Sequence, residues 1–207
     1  MVKTLIVEDQ RITRDYIRGM LEETGRYEIV DCLSDASLAA PKCDKDEIDL
    51  VVMDVYTSGS KDGIDATEEI KAKHPNIKVV IVTSMVEVGY LDRAKKAGAN
   101  SFWYKNISKE NLLGVIDATM SGKSIFPEKT PPVMIGEASS EDFTKTEIKI
   151  LRLIIEGLEY DEIADRLNCS LNTVKTHVTH ILAKTGHGNR TKLVIDIMNK
   201  NFIIAKN

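Results

Sequence analysis

Glu8 and Asp9 directly follow the apolar run Thr4-Leu5-Ile6-Val7, and Asp54 directly follows Leu50-Val51-Val52-Met53. If these runs are parallel buried strands lying side by side, the three carboxylates converge. Like charges held that close repel, and a cluster of hard oxygen ligands is relieved by a hard cation such as Mg2+. Two further groups extend the chemistry: Thr83 ends the run Lys78-Val79-Val80-Ile81-Val82, and Lys105 follows Ser101-Phe102-Trp103-Tyr104. An acid pair, a third acid, a hydroxyl and a fixed cation are the parts of a phosphoryl-transfer site. Asp54 is the nucleophile of choice, because its strand falls between the one carrying Asp9 and the one carrying Thr83. Mg2+ held by Asp9 and Asp54, with Glu8 acting through water, would neutralise charge on the attacking carboxylate and the donor. Taken singly, each acid is more simply a solvated strand end; the joint filling of four strand ends favours a site.

These groups need a particular scaffold. Short apolar runs over 3–7, 28–32, 50–53, 78–83 and 101–104 alternate with amphipathic stretches over 11–23, 36–42, 63–73, 88–97 and 109–120. That alternation predicts a five-stranded, doubly wound parallel α/β domain over residues 1–121, flavodoxin-like in order. Ligands of such sheets sit at the carboxyl ends of the strands, where Asp9, Asp54, Thr83 and Lys105 all fall.

Periodicity stops over 122–141, where Pro127, Pro131, Pro132 and Gly136 mark a linker. Residues 142–207 read as a small all-α domain of four helices. The first is opened by the capping box Thr144…Glu147, with Ile148, Leu151 and Ile154 at helical spacing behind it. Between Asp165 and Asp196 there is no acid, while Arg166, Lys175, Lys184, Arg190 and Lys192 are all present. A short helix and a tight turn precede Ser170-Leu171-Asn172-Thr173-Val174-Lys175-Thr176-His177-Val178, the arrangement of a helix-turn-helix whose second helix enters the DNA major groove. Val174, Val178, Ile181 and Leu182 face the core. Asn172, Thr173 and Lys175 are placed for phosphates, Thr176 and Thr179 for base edges or thymine methyls, and His180, Lys184 and Arg190 for further contacts.

Composition agrees with two soluble domains: 207 residues, 29% charged and 43% hydrophobic, with a net charge of -4 that argues against a chain coating nucleic acid or anionic membrane as a whole. Met1 leads into a strand-like run with no long apolar stretch behind it, so no signal peptide or membrane span is expected and the protein is expected in the cytoplasm. Cys32, Cys43 and Cys169 fit no metal pattern and read as small apolar residues in a reducing compartment.

With Glu8, Asp9, Asp54, Thr83 and Lys105 in these positions, residues 1–121 resemble the receiver domain of two-component response regulators. The resemblance implies that Asp54 accepts a phosphoryl group from a sensor histidine kinase, that the Tyr56 carbonyl is a further metal ligand, and that Thr83 and the aromatic Phe102 rearrange in response. The stretch from Phe143-Thr144-Lys145-Thr146-Glu147 through Glu162-Ile163-Ala164 and Thr173-Val174-Lys175-Thr176-His177 to Asn189-Arg190-Thr191 is similar to the LuxR-type DNA-binding domain. Together they resemble a NarL/FixJ-type response regulator over essentially the full length. That resemblance implies a homodimer on a two-part DNA site, with the last helix, through Leu193 and Ile197, as interface. Three departures stand out. The loop over 55–63 is one residue longer than the common pattern and lacks its Pro, which predicts a more mobile loop. Asn106 stands where Pro is frequent, which predicts a trans peptide and an altered Lys105 geometry. Thr179 replaces a frequent Lys or Arg.

The expectation is a phosphorylation-controlled, sequence-specific transcriptional regulator. Two rivals are weighed against it. A phosphohydrolase with an aspartyl-phosphate intermediate usually carries a second acid two residues after its nucleophile, where this chain has Tyr56. A receiver that signals by protein contact without phosphorylation is suggested by the altered loop and Asn106.

Overall fold

The computed structural model describes residues 1–87, 89–105, 108 and 111–203. The chain divides into two compact units, one of Met1–Ser84 and Gly89–Lys129, the other mainly from Thr130 onward.

In the first unit β1 (Val2–Val7), β2 (Tyr27–Leu33), β3 (Leu50–Met53), β4 (Lys78–Thr83) and β5 (Ser101–Tyr104) form one parallel sheet in the order β2-β1-β3-β4-β5. β3, the central strand, is buried at every residue, as an unbroken apolar run covered on both faces must be. The helices are α1 (Arg11–Glu23), α2 (Ala39–Lys45, after a 3-10 turn at Ala36–Leu38), α3 (Gly63–Lys73), α4 (Tyr90–Lys96) and α5 (Leu112–Met120). Ile17 and Leu21 of α1 and Leu112, Val115 and Ile116 of α5 pack on one face of the sheet against Ile6, Val52, Val80 and Val82. Trp103 joins that face, so the two-residue period of β5 turns Phe102 and Tyr104 to the other. Because β1 and β4 flank β3, Asp9, Asp54 and Thr83 follow or end three adjacent strands. The expected starts of the last two helices, at 88 and 109, lie outside the described residues, as does Asn106 with its expected trans peptide.

The second unit holds α6 (Lys145–Ile155), α7 (Tyr160–Arg166), α8 (Leu171–Thr185) and α9 (Arg190–Asn199). Its helix starts are written locally. Thr144 Oγ1 accepts from the Glu147 N–H at 3.2 Å while Glu147 Oε2 accepts from the Thr144 N–H at 2.7 Å, and Ser170 and Asn189 cap α8 and α9. Two findings differ from the sequence reading. The unit is not purely helical, since β6 (Met134–Ile135) and β7 (Ala138–Ser139) form an antiparallel hairpin inside the stretch expected to be linker. Ile135 and Ala138 of that hairpin are buried with Ile150, Leu151, Ile181 and Leu193. Its turn needs Gly136, which has φ 56 and sits where a Cβ would lie 1.9 Å from the Thr185 carbonyl oxygen. Secondly, Leu193 and Ile197, expected at a dimer surface, are both 0% exposed in this unit's own core. Their apolar surface is already used to hold α9 in place, so neither can face a partner. Among the described residues no helix is long and apolar enough to cross a membrane.

Candidate functional site

Strand register assembles the acids. Thr4 to Val7 pair with Leu50 to Met53, and the Asp54 N–H continues the ladder to the Val7 carbonyl at 2.8 Å. One oxygen from each of Glu8, Asp9 and Asp54 lies within 4.8 Å of the others. Glu8 and Asp54 are buried and Asp9 is half-buried. Lys105 closes the group: its Nζ lies 2.6 Å from Glu8 Oε2 and 2.6 Å from Asp54 Oδ2. The second oxygen of each acid accepts from the backbone, Glu8 Oε1 from the Gln10 N–H (3.0 Å) and Asp54 Oδ1 from the Tyr56 N–H (3.2 Å). Tyr56, expected to offer a carbonyl, thus also touches the acceptor through its N–H.

Burial opposes the charged forms of Asp54 and Lys105. It pushes the Asp54 carboxyl up to about 6, against the pull of Lys105 and with the help of Glu8. Burial drags the Lys105 ammonium down, but Asp54 and Glu8 together outweigh it and leave that group above its ordinary value. Three acids, of which Lys105 bonds Glu8 and Asp54, are a donor set of hard oxygens that suits Mg2+.

Thr83 is fully buried at the end of β4, paired with Tyr104, and its carbonyl accepts from the Lys105 N–H at 2.8 Å. This bond sets the last two strand ends beside each other. Phe102 is 1% exposed and packs on Tyr104 with ring centroids 4.9 Å apart. The expected switch aromatic therefore already lies inside the domain here.

The long loop after Asp54 is anchored at several points, contrary to the mobility expected of it. Thr57 Oγ1 accepts from the Ala36 N–H (2.9 Å) and the Ser58 N–H donates to the Ser34 carbonyl (2.9 Å). Gly59 lies against the Asp35 carboxylate, where a Cβ would stand 2.1 Å from its oxygen. At the far end Asp62 caps α3 through the Ile64 and Asp65 N–H groups and pairs with Arg93 at 2.8 Å. The extra residue is absorbed by hydrogen bonds to the turn after β2.

Sequence reasoning missed three positioning residues. Thr57 is one. Arg14 Nη1 donates to the Glu8 carbonyl at 3.0 Å, a contact that no spacing rule announces. Gly63 begins α3 where a Cβ would lie 1.9 Å from the Asp54 carbonyl oxygen. The Asp62-Gly63 pair just before a helical run was the available signal for it.

In the second unit α7, a turn through Asn168 (φ 51) and α8 form a helix-turn-helix. Val174, Val178 and Ile181 are buried, while Asn172, Thr173, Lys175, Thr176, Thr179 and His180 are exposed. Two expected DNA contacts are committed elsewhere. Lys184 Nζ bonds the Glu147 carboxylate (2.9 Å) and the Asp142 carbonyl (2.7 Å) and lies over the Phe143 ring. Arg190 bonds the Leu158 carbonyl (2.8 Å) and Glu159 (3.3 Å) and stacks on Tyr160. Both cations hold helices of their own domain together.

Comparison with known proteins agrees with this geometry. Residues 4–117 match the response regulator receiver domain, and residues 141–196 match the luxR family of bacterial regulatory proteins. The response regulator protein VraR of Staphylococcus aureus is 32% identical over 207 residues, spanning 98% of this chain and 99% of its own. Among solved structures, the response regulator ChrA of a heme-sensing two-component system is 26% identical with a TM-score of 0.51, covering 96% of this chain and 97% of its own. RcsB from Salmonella enterica serovar Typhimurium, bound to promoter DNA in the presence of a phosphomimetic, shares the fold with a TM-score of 0.61 at 22% identity, covering 95% and 97%.

Proposed function

Because this chain belongs to the response regulators that join a receiver domain to a LuxR-type DNA-binding domain, we propose that phosphoryl transfer to Asp54 controls its binding to promoter DNA. The observation that carries the proposal is Asp54 itself: buried, central in the sheet, and held at 2.6 Å by Lys105 inside an acid cluster.

In the proposed reaction a carboxylate oxygen of Asp54 attacks the phosphorus carried by a histidine of the sensor kinase. The P–N bond breaks as the O–P bond forms, its electron pair returns to the ring nitrogen, and the imidazole leaves neutral with the proton already carried on its other ring nitrogen. Asp9 and Asp54, with the Tyr56 carbonyl and with Glu8 acting through water, would hold Mg2+, which would supply charge neutralisation for the incoming phosphoryl group. Lys105 moves its ammonium from Asp54 onto a phosphoryl oxygen, and the Thr83 hydroxyl donates to another. The same groups let the receiver catalyse its own phosphorylation from small phosphodonors and its own dephosphorylation. Thr83, paired with Tyr104 from β4, and Phe102, packed on the Tyr104 ring within β5, carry the change to the domain surface.

Asn172, Thr173 and Lys175 bind DNA phosphates, and Thr176, Thr179 and His180 face the groove. The phosphorylated protein pairs as a homodimer on a two-part site. The apolar residues that α9 leaves exposed for this are Ile195 and Met198, 54% and 49% accessible. The protein works in the cytoplasm, where its kinase's catalytic domain and its promoter are both reached.

The test is DNA retardation by the full chain with and without acetyl phosphate and Mg2+, for the wild type and Asp54→Asn. Phosphodonor should tighten wild-type binding and leave the variant unchanged. Equal responses of the two proteins would overturn the mechanism, and incorporation of no phosphate at all would favour a receiver that signals by contact alone.

A further inference from the structure

The hydroxyls of Thr176 and Thr179 are turned back onto their own helix. Thr176 Oγ1 donates to the Asn172 carbonyl at 2.9 Å, and Thr179 Oγ1 donates to the Lys175 carbonyl at 2.9 Å. Both residues are exposed and stand three apart, so they share one face of α8. A threonine that bonds its helix in this way has used its only proton and has just its γ-methyl and the lone pairs of its oxygen left to offer.

That state limits what the helix can read. In the major groove guanine N7 and O6, adenine N7 and thymine O4 are all acceptors and call for a donor, while only the adenine N6 and cytosine N4 amino groups could give to a threonine lone pair. Neither threonine has a donor to give unless it breaks an existing hydrogen bond, which costs about as much as the new one contributes. The groove feature that matches the methyl of an exposed threonine is the thymine 5-methyl group. Asn172, Lys175 and His180, exposed around the pair, still carry donors.

Resting on the DNA-binding reading above, we propose that Thr176 and Thr179 select thymines by methyl-to-methyl contact. The sequence choice beneath the middle of α8 is then made by apolar contact, with hydrogen-bond readout left to the neighbouring side chains.

The experiment selects bound sequences from a random duplex pool with the full chain. It then replaces each thymine of the selected half-site by deoxyuridine, which lacks only the methyl. Wild-type affinity should fall about four-fold at each of two positions, the factor that goes with losing one buried methyl-sized group. Thr176→Val and Thr179→Val, which keep the methyl and lose the hydroxyl, should retain this thymine preference. Thr176→Ser and Thr179→Ser, which keep the hydroxyl, should lose it at one position each. Selective binding that is indifferent to every deoxyuridine, or preference kept by the Ser and lost by the Val variants, overturns the proposal. The deoxyuridine arm uses wild-type protein and so does not depend on a variant folding. Failure to select any sequence from the pool would instead sink the DNA-binding reading.

Discussion

Gly63 and Asp54 touch backbone to backbone: a Cβ at 63 would lie 1.9 Å from the Asp54 carbonyl oxygen and 2.8 Å from the Met53 side chain. The Gly63 N–H also donates to the Val55 carbonyl at 2.9 Å. The first turn of α3 is therefore seated directly on the acceptor's main chain.

Gly63→Ala forces this contact apart. It should cost about 1–3 kcal/mol in denaturant unfolding, in the range of overpacked buried sites, and should slow phosphorylation by acetyl phosphate. Wild-type stability together with a wild-type rate would show that the seat is not needed.

Asp54 is ionised in the fold at a cost. Its carboxyl is pushed up to about 6, above the value of an unfolded chain. The folded state therefore holds that proton more tightly, and stability falls as pH rises from near the unfolded value through 6. Asp54→Asn removes the penalty, so at pH 7 the variant should be more stable by about 1–3 kcal/mol in Mg2+-free buffer. The difference should shrink below pH 6 and vanish near pH 4. A variant less stable than wild type by a pH-independent amount would contradict this.

Lys175 and Lys184 stand on one helix and should behave oppositely. Lys175→Ala should leave the melting temperature alone and reduce the slope of log affinity against log salt by about one. Lys184→Met strands the buried Glu147 carboxylate, which Lys184 and Thr144 hold below its ordinary range against its burial. It should destabilise the DNA-binding domain by about 2–4 kcal/mol while keeping the salt slope of the folded fraction. Equal salt slopes for Lys175→Ala and wild type would remove Lys175 from the phosphate contacts.

Thr57→Val takes the acceptor away from the buried Ala36 N–H. A loss of about 1–3 kcal/mol is expected. Amide exchange at Ala36 and Ser58 should speed up more than exchange in β3, and unchanged exchange at both would show that the loop is held elsewhere.

The sheet and its acids were legible because each strand is an unbroken apolar run with chemistry at its end, and the central one at Leu50–Met53 is buried on both faces. The helix-turn-helix was legible from the acid-free run and the buried Val174, Val178 and Ile181. What escaped reading rests on long-range or short-period features. Strands of two residues, as at Met134–Ile135, carry too little alternation to detect, although Ile135-Gly136-Glu137-Ala138 has the Gly-containing two-residue turn of a hairpin. Lys184 and Arg190 looked like free charge, because their partners at Glu147 and Leu158 lie some thirty residues away or more. The loop after Asp54 looked slack because its anchors, Ser34 and Ala36, belong to another turn. For Leu193 and Ile197, an apolar helix face has the same pattern whether it meets a partner or its own core.

The local caps at Thr144, Ser170 and Asn189 have a kinetic consequence. Each start of α6, α8 and α9 is specified by residues within three positions of it, whereas the β1–β3 ladder must bring Thr4 to Leu50 before it gains anything. Fast folding goes with short sequence separation. After denaturation of the full chain the DNA-binding domain should regain its helices well before the sheet domain regains its acid cluster, so in refolding the output module is ready before the input can be charged.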